Sequence, residues 1–286
     1  MSEITLRTPA SEDAGRIGEI IYKAFKTISE AHSFPPDFPS AEPAIGLAKM
    51  MIERPDVYGV AAESDGAIVG SNFLWESDDV DGVGPITVDP NVQNFSIGRR
   101  LMQDVMRRAE EQGKTSTRLL QAAYHNRSLA LYTKLGFNSV EPLSTIVGPA
   151  FEAKLPGREV RPMAGDDVEA ANDVCQAVHG ISRRNEIAGS VQIGTGLVVT
   201  YSGRITGYTT GLGFFGHAAT ETADDLKALI GSGREISGPG FMLPTRNSEM
   251  MRWCLGNGLR VVQPMTLMSK GVYQEPRGAF LPSILY

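Results

Sequence analysis

Residues 88–102, with the sequence VDPNVQNFSIGRRLM, constrain the fold of this chain more than any other segment. The end of an apolar strand is followed by a glutamine-led turn of small and polar residues, and the turn leads into an amphipathic helix that begins near Ile97. At such a helix start the backbone N–H groups have no intrahelical acceptor, and the helix dipole favours negative charge. The segment therefore predicts a binding site for a phosphate-containing anion.

The helix after the turn has a clear apolar face, and Gly113 ends it. Its apolar residues recur every four positions: Ile97, Leu101, Val105 and Ala109. Arg99 and Arg100 in the first turn oppose the helix dipole, which favours a bound anion that compensates them. A solvated basic face is the alternative, because the acidic residues 110–111 at the far end disregard the dipole equally. The predicted anion site therefore depends mainly on backbone donors.

Composition excludes several classes of function. A net charge of −6 over 286 residues argues against a general nucleic-acid binder. The amino-terminal MSEITLRT lacks the pattern of a signal peptide, and no apolar run is long enough to cross a bilayer, so we expect a cytoplasmic protein without a membrane segment. Cys175 and Cys254 are far apart and lack metal-ligand spacing, so we expect two buried thiols and no metal site.

Local patterns predict alternating helices and strands before the turn. Ser11 and Asp13 precede an apolar helical face, and Asp65-Gly66 predicts a tight turn between two strands. The predicted elements are a helix after residue 13, a proline-rich substrate-side loop at 32–43, a helix at 44–53, and strands at 58–63, 67–75 and 83–88. A further strand is expected at 118–123. The chain is therefore of the α/β class.

A second motif, NRSLALYTKLGF at residues 126–137, follows this last strand. Asn126 can cap a short helix, Gly136 can end it in a left-handed conformation, and Phe137 begins another strand. In order, spacing and residue types, the two motifs together resemble the GNAT superfamily of acyl-CoA N-acyltransferases. The resemblance implies a mixed, twisted GNAT-like sheet flanked by helices, and acetyl-CoA as the acetyl donor.

The resemblance also implies which residues bind acetyl-CoA. The turn would wrap the pyrophosphate, with Gln93, Ser96 and Gly98 at the marked positions of the family pattern, and the strand before it would pair with the pantetheine arm. The implied cofactor-binding residues are Ile86, Thr87, Val88, Gln93, Asn94, Phe95, Ser96, Ile97, Gly98, Arg99, Arg100 and Asn126. Ser96 departs from the glycine of the pattern, and its Cβ restricts positive φ angles and close backbone approach. Its hydroxyl could instead cap the helix or bind phosphate.

Tyr132 stands where many members of the family place a general acid that protonates the CoA thiolate. The resemblance implies direct attack of a neutral amine on the thioester in a ternary complex, without a covalent acyl-enzyme. The alternative role for Tyr132 is packing, with its hydroxyl capping a backbone carbonyl. The sequence does not single out a general base. Candidates are Glu76, Asp78, Asp79, Asp81, His32, Tyr124 and His125, and the carboxylates could equally attract a cationic substrate.

Proline and glycine residues mark a boundary near Leu155, after which the sequence faintly repeats. Residues 160–175 are similar to the opening segment, and residues 247–259 are similar to the second motif, with Trp253 near the position of Tyr132. We therefore predict a catalytic GNAT domain at 1–154, the first half, and a degenerate GNAT-like domain at 155–286, the second half. The string GLGFFG at 211–216 matches a dinucleotide fingerprint, but the next helix starts too late, near Thr222.

The sequence thus predicts two tandem GNAT-like halves, of which the first acetylates a primary amine, with a small molecule as the expected acceptor. The second half would form a wall of the substrate cleft, complete the first sheet or make a homodimer interface. A non-catalytic acyl-CoA-binding or regulatory module is the alternative, because Ser96 departs from the pattern and no base is evident.

Overall fold

The computed structural model describes residues 3–92 and 96–285. The first half alternates strands and helices in the order that the sequence predicts. Its elements are β1 (Ile4–Arg7), α1 (Ala14–Ala31), α2 (Ala41–Glu53), β2 (Val57–Ser64), β3 (Ala67–Trp75), β4 (Asp81–Val83), β5 (Thr87–Val88), α3 (Ile97–Glu111), β6 (Ser116–Ala122), α4 (Asn126–Lys134) and β7 (Asn138–Val147).

Local sequence signals explain most of these elements. The predicted hairpin of β2 and β3 is confirmed, and its turn places Asp65 and Gly66 at φ angles of +51° and +76°. The predicted second helix starts earlier than expected, at Ala41, because Pro43 fits within a first turn that needs no N–H donor there. The predicted strand at 83–88 is wrong as one continuous element, since the chain bends at Gly84 and divides it into β4 and β5.

The second half repeats the same order of elements on a reduced scale. Its elements are β8 (Arg158–Pro162), α5 (Val168–His179), α6 (Arg184–Gln192), β9 (Leu197–Tyr201), β10 (Arg204–Thr209), β11 (Ala218–Thr220), α7 (Ala223–Ile230), β12 (Phe241–Pro244), α8 (Ser248–Gly256), β13 (Arg260–Gly271) and β14 (Ala279–Leu281). The glycine-rich residues 211–216 do not lead into a helix. The next helix, α7, begins only after Thr222, whose side chain accepts a hydrogen bond from the Asp225 amide. The rejected dinucleotide fingerprint is therefore a glycine-rich loop.

The two halves exchange strands within one nine-stranded sheet, ordered β1-β2-β3-β4-β6-β13-β7-β12, with β5 paired to β3. β13 pairs antiparallel with β6 from Met265↔Ala122 to Gly271↔Ser116. β7 lies between β13 and β12, so both of its neighbours come from the second half. The remaining strands of the second half form a five-stranded sheet, ordered β14-β11-β10-β9-β8. The predicted boundary near Leu155 stays a prediction, but hydrogen bonding between strands crosses it.

Alternation along the strands places two separate cores on the first half of the sheet. Val60 and Ala62 of β2 face the core formed with α3 and α4, whereas Ala61 faces the core formed with α1 and α2. In the second half, Cys175 and Cys254 are buried and unbonded to each other, as the sequence predicts. No helix in the described ranges is long and apolar enough to span a membrane.

Candidate active site

The sheet of the first half opens between β5 and β6. β4 pairs in parallel with β6 only where residues 81–82 lie opposite residues 117–118. The chain then bends at Gly84, whose φ is +135° and whose carbonyl accepts a 2.8 Å hydrogen bond from the indole of Trp75. β5 pairs with β3 on one edge, and no described strand pairs with its other edge. The predicted pantetheine-binding residues therefore border an open cleft: Ile86, Thr87 and Val88.

The turn before α3 is fastened by Asp89, which the sequence analysis did not single out. Its carboxylate accepts hydrogen bonds from both the backbone and the side chain of Asn91, each at 3.0 Å, and pairs with Arg16 of α1 at 2.7 Å. Burial opposes ionisation, but these donors hold the pKa of Asp89 below its usual range. The Asp-Pro-Asn sequence after a strand is the signal that could have identified this turn. The predicted residues Gln93, Asn94 and Phe95 lie outside the described residues.

Ser96 occupies the left-handed conformation that the family pattern reserves for glycine. Its φ and ψ are +59° and +14°, and its side chain is exposed. The first hydrogen bond of α3 runs from the Arg100 amide to the Ser96 carbonyl at 3.0 Å. The amides of Ile97, Gly98 and Arg99 precede that bond, so they are donors at the positive end of the helix. These amides can hold an anion. Ser96 itself is in a left-handed conformation that is unfavourable for an L-amino acid.

The two arginines at this helix start have different environments. Arg100 donates a 2.7 Å hydrogen bond to the carbonyl of Ile4, so it ties α3 to β1. Arg99 is exposed and has no ion-pair partner among the described residues. Of the two predicted phosphate-binding arginines, Arg99 is therefore the one whose guanidinium is not engaged in holding the described fold.

Tyr132 lies on α4 and faces the core that α3 and α4 share. Its side chain is 7% exposed and makes an edge-to-face contact with Phe137, with ring centroids 6.3 Å apart. Burial raises its pKa well above the usual value, and its hydroxyl makes no hydrogen bond to a described residue. Tyr132 is thus a packed side chain and a neutral phenol that can still donate its proton. Asn126 is exposed at the first position of α4, and no side-chain bond caps that helix in the described structure.

The acidic residues after β3 have structural partners. Glu76 forms a two-point ion pair with Arg108, at 2.8 and 3.1 Å, near the end of α3. Asp78 accepts hydrogen bonds from the backbone amides of Asn185 and Glu186 in the first turn of α6, so it caps a helix of the second half. Asp79 likewise accepts from the Ser182 amide at 2.7 Å. Asp78 and Asp79 therefore join the two halves, whereas Glu76 is paired within the first half.

Asp81 is buried within β4. Its carboxylate lies 3.3 Å from the ammonium of Lys114, and its side chain is 0% exposed. Burial raises its pKa to about 6, although Lys114 acts in the opposite direction. Because Asp81 lies where β4 and β6 still pair, it is at the closed end of the cleft.

The other three base candidates meet at the end of β6, which is the open end of the cleft. The ring of Tyr124 stacks on Phe34 with centroids 4.3 Å apart, and His32 is 5.3 Å away. Burial raises the pKa of Tyr124 and lowers that of His125. Two residues that sequence reasoning missed join this cluster. The Tyr124 hydroxyl donates to the Oε1 of Gln263 at 3.2 Å, and the Nε2 of Gln263 donates to the Oδ1 of Asp37 at 3.1 Å.

The equivalent cleft of the second half is occupied by the chain itself. β14 pairs antiparallel with β11 from Ala218↔Leu281 to Thr220↔Ala279, and it packs against β12. At the start of α7, Asp224 and Asp225 place carboxylates where an anion would bind. Trp253, at the position of Tyr132, packs on Phe151 with ring centroids 5.4 Å apart.

Comparison with known proteins shows which family and which solved structures this chain is similar to. The model of the acetyltransferase (GNAT) family matches residues 23–137. A candidate acetyltransferase from Pyrococcus horikoshii superposes with a TM-score of 0.69 at 12% identity, covering 99% of this chain and 92% of that one. A GCN5-related N-acetyltransferase from Sphaerobacter thermophilus gives 0.64 at 16% identity, covering 95% and 96%. A tandem GNAT protein from the clavulanic acid biosynthesis pathway gives 0.55 at 13%, covering 94% and 98%. No curated protein sequence matches the chain.

The chain therefore has the fold of a tandem GNAT protein, as the sequence predicts. The family match lies in the first half and spans both the turn before α3 and the motif of α4, so the predicted resemblance to the GNAT superfamily is confirmed. This similarity supports acyl transfer from an acyl-CoA as the general reaction. Among the described residues, no group of three or more histidine, cysteine, aspartate or glutamate side chains could hold a metal ion.

Proposed function

We propose that the first half transfers an acetyl group from acetyl-CoA to a primary amine of a small molecule, by direct attack in a ternary complex. The observation that carries the proposal is the open cleft between β5 and β6, which has a helix start at one end and a buried phenol beside it. The unpaired edge of β5 can pair with the amides of a pantetheine arm. The helix amides can bind a pyrophosphate, and the protonated tyrosine can donate a proton to the leaving thiolate.

The residues that would hold acetyl-CoA follow from this arrangement. Ile86, Thr87 and Val88 would pair with the pantetheine amides through their backbone. The amides of Ile97, Gly98 and Arg99 and the guanidinium of Arg99 would bind the pyrophosphate, together with the turn residues before them. A Cβ at Gly98 would meet Leu131 and Val88 only at 3.6 and 3.9 Å, so protein packing does not require glycine there. Close approach of a ligand would explain it.

Tyr132 would donate its proton to the sulfur as the C–S bond breaks. Burial raises the pKa of the phenol, which is therefore protonated at neutral pH and can donate. The bound thioester supplies the acetyl group, and the chain supplies position, backbone hydrogen bonds and this proton. The second half would bind no CoA, since β14 fills its cleft and its helix start is acidic.

A coupled assay tests the proposal against the alternative, a non-catalytic acyl-CoA-binding module. Release of CoA from acetyl-CoA is followed with a thiol reagent across a panel of primary amines, and binding is measured in parallel by calorimetry. The proposal predicts CoA release that depends on an added amine, and one binding site per chain. Tight binding of acetyl-CoA without turnover on any amine would favour the regulatory module, and two sites per chain would contradict an inactive second half.

A further inference from the structure

The second half contributes a side chain to the acceptor side of the cleft. On the basis of the proposed function, we infer that Asp37 accepts the proton of the incoming alkylammonium and that Gln263 is its positioning residue. Asp37 lies in the loop between α1 and α2, and Gln263 lies on β13, so the pair joins the first half to the second.

The position of Asp37 relative to Tyr132 is the first support for this inference. Tyr132 belongs to the core on the α3 and α4 face of the sheet, whereas α1 and α2 cover the opposite face. Asp37 is linked through Gln263 to Tyr124, which lies two residues after β6 at the open end of the cleft. The Asp37 carboxylate and the Tyr132 phenol thus lie on opposite faces of the sheet. An amine that enters from the Asp37 face would meet the thioester opposite the acid.

The hydrogen bonds of Asp37 leave one oxygen available. Its Oδ1 accepts from Gln263, and its Oδ2 accepts no hydrogen bond from a described residue. The carboxylates of Glu76, Asp78 and Asp79 are each occupied by a guanidinium or by backbone amides. Burial raises the pKa of Asp37, against the opposing hydrogen bond from Gln263, and a base works best when its pKa is close to the working pH. Asp37 is therefore better suited to accept a proton than these three.

Gln263 is held in one orientation. It is 2% exposed, and the pairing of β13 with β7 shifts register between Val261 and Gln263, a bulge that re-aims the side chain. Its Oε1 accepts from Tyr124 while its Nε2 donates to Asp37, so both ends of the amide are engaged. Tyr124 is itself in hydrogen-bond contact with the Ser29 hydroxyl at 3.3 Å. A buried amide with both ends engaged can fix the direction of the Asp37 carboxyl.

The proton count of the reaction is complete with these groups. The Asp37 carboxylate takes one proton from the alkylammonium, and the resulting neutral amine forms the N–C bond to the acetyl carbon. The C–S bond breaks, and the sulfur takes the Tyr132 proton to give CoA thiol. The second proton leaves the nitrogen and restores the phenol through water, and Asp37 returns its proton to solvent. The products are an N-acetyl amine, CoA and one released proton.

The test compares Asp37→Asn, Asp37→Glu and Gln263→Met with the wild-type protein and with Asp56→Asn. Asp56 is a matched control, because its carboxylate only pairs with the exposed Arg54. We expect Asp37→Asn to lower kcat by about 100-fold, the usual contribution of a general base, with acetyl-CoA affinity unchanged. Asp37→Glu should restore part of the rate. Gln263→Met should lower kcat about tenfold, as loss of a hydrogen bond to a charged group does.

The double variant separates positioning from a general effect on structure. If Gln263 acts through Asp37, Gln263→Met should have no further effect in the Asp37→Asn background. Additive losses, or an Asp37→Asn enzyme with wild-type kcat, would overturn the inference and leave the proposed function standing. If Gln263→Met does not fold, as thermal unfolding would show, the loop variants at Asp37 decide alone. A wild-type protein that acetylates no amine would refute the proposed function and this inference together.

Discussion

Asp81 allows a quantitative test of the closed end of the cleft. Its side chain is fully buried, and neither carboxylate oxygen has a hydrogen-bond partner in the described structure. The ammonium of Lys114, at 3.3 Å, compensates most of its charge, with a smaller contribution from Arg108. Burial raises the pKa of Asp81 from 3.8 to about 6. At about 1.4 kcal/mol per pKa unit, ionisation of this carboxyl costs the folded protein about 3 kcal/mol.

The sign of the pH dependence follows from that shift. Because the pKa of Asp81 is higher in the folded than in the unfolded protein, the stability contributed by its bound proton is complete below pH ~4 and is lost as the pH rises through about 6. Asp81→Asn resembles the protonated form at every pH. The variant should therefore match the wild-type protein near pH ~4 and exceed its free energy of unfolding by up to about 3 kcal/mol at pH ~8.

Urea denaturation at a series of pH values between ~4 and ~8 measures this difference, with the linear extrapolation applied to both proteins. Asp56→Asn serves as the control, because removing an exposed ion pair changes the free energy of unfolding by less than about 1 kcal/mol. The reasoning is refuted if Asp81→Asn is less stable than the wild-type protein at pH ~8, or if the difference between the two does not grow with pH.

Five further substitutions, at four positions, test the cofactor side of the cleft. Tyr132→Phe should lower kcat by about 100-fold while acetyl-CoA affinity, measured by calorimetry, stays unchanged; unchanged kcat would remove Tyr132 from the acid role. Ser96→Gly should relieve about 1 kcal/mol of left-handed strain, partly offset by glycine's greater freedom when unfolded, so that thermal unfolding shifts up slightly, whereas Ser96→Ala should give no gain. Gly70→Ala should destabilise by about 1–3 kcal/mol, since its Cβ would lie 2.8 Å from the Thr87 carbonyl oxygen, whereas Gly98→Ala should fold normally and bind acetyl-CoA more weakly. Equal stability of Gly70→Ala and Gly98→Ala would contradict the close packing of Gly70 against β5.

The elements that the sequence predicts well are those specified by neighbouring residues. The hairpin of β2 and β3 depends on Asp65-Gly66 and on alternation along the strands. α3 depends on an apolar stripe, and all of its stripe residues, Ile97 to Ala109, are buried. The bend at Gly84 was missed because one glycine before a proline gives no indication of where a strand resumes.

Contacts between distant segments are absent from such patterns. Nothing in the sequence around Asp78 distinguishes it from an acidic residue in a solvated loop. Only the fold brings its carboxylate to the backbone amides of α6, which lie at least 107 residues further along the chain. Asp37 sits in a proline-rich loop with no periodicity, so its hydrogen bond to Gln263, 226 residues away, could not be predicted. The predicted cofactor-binding residues are local in sequence and could therefore be named from its motifs, whereas the proposed acceptor side depends on contacts between the two halves.

Because the two halves exchange strands, the second half can be required for the fold without catalysing a reaction itself. β13 lies between β6 and β7, and β7 lies between β13 and β12, so each of these two strands has both of its neighbours in the other half. Without β13, β6 would lose its antiparallel partner from Ser116 to Ala122, next to the cleft, and would expose an unpaired edge. β14 fills the equivalent cleft of the second half, while β12 and β13 remain paired with strands of the first half. The contribution that we propose for the second half, the strand that carries Gln263, therefore requires no chemistry of its own.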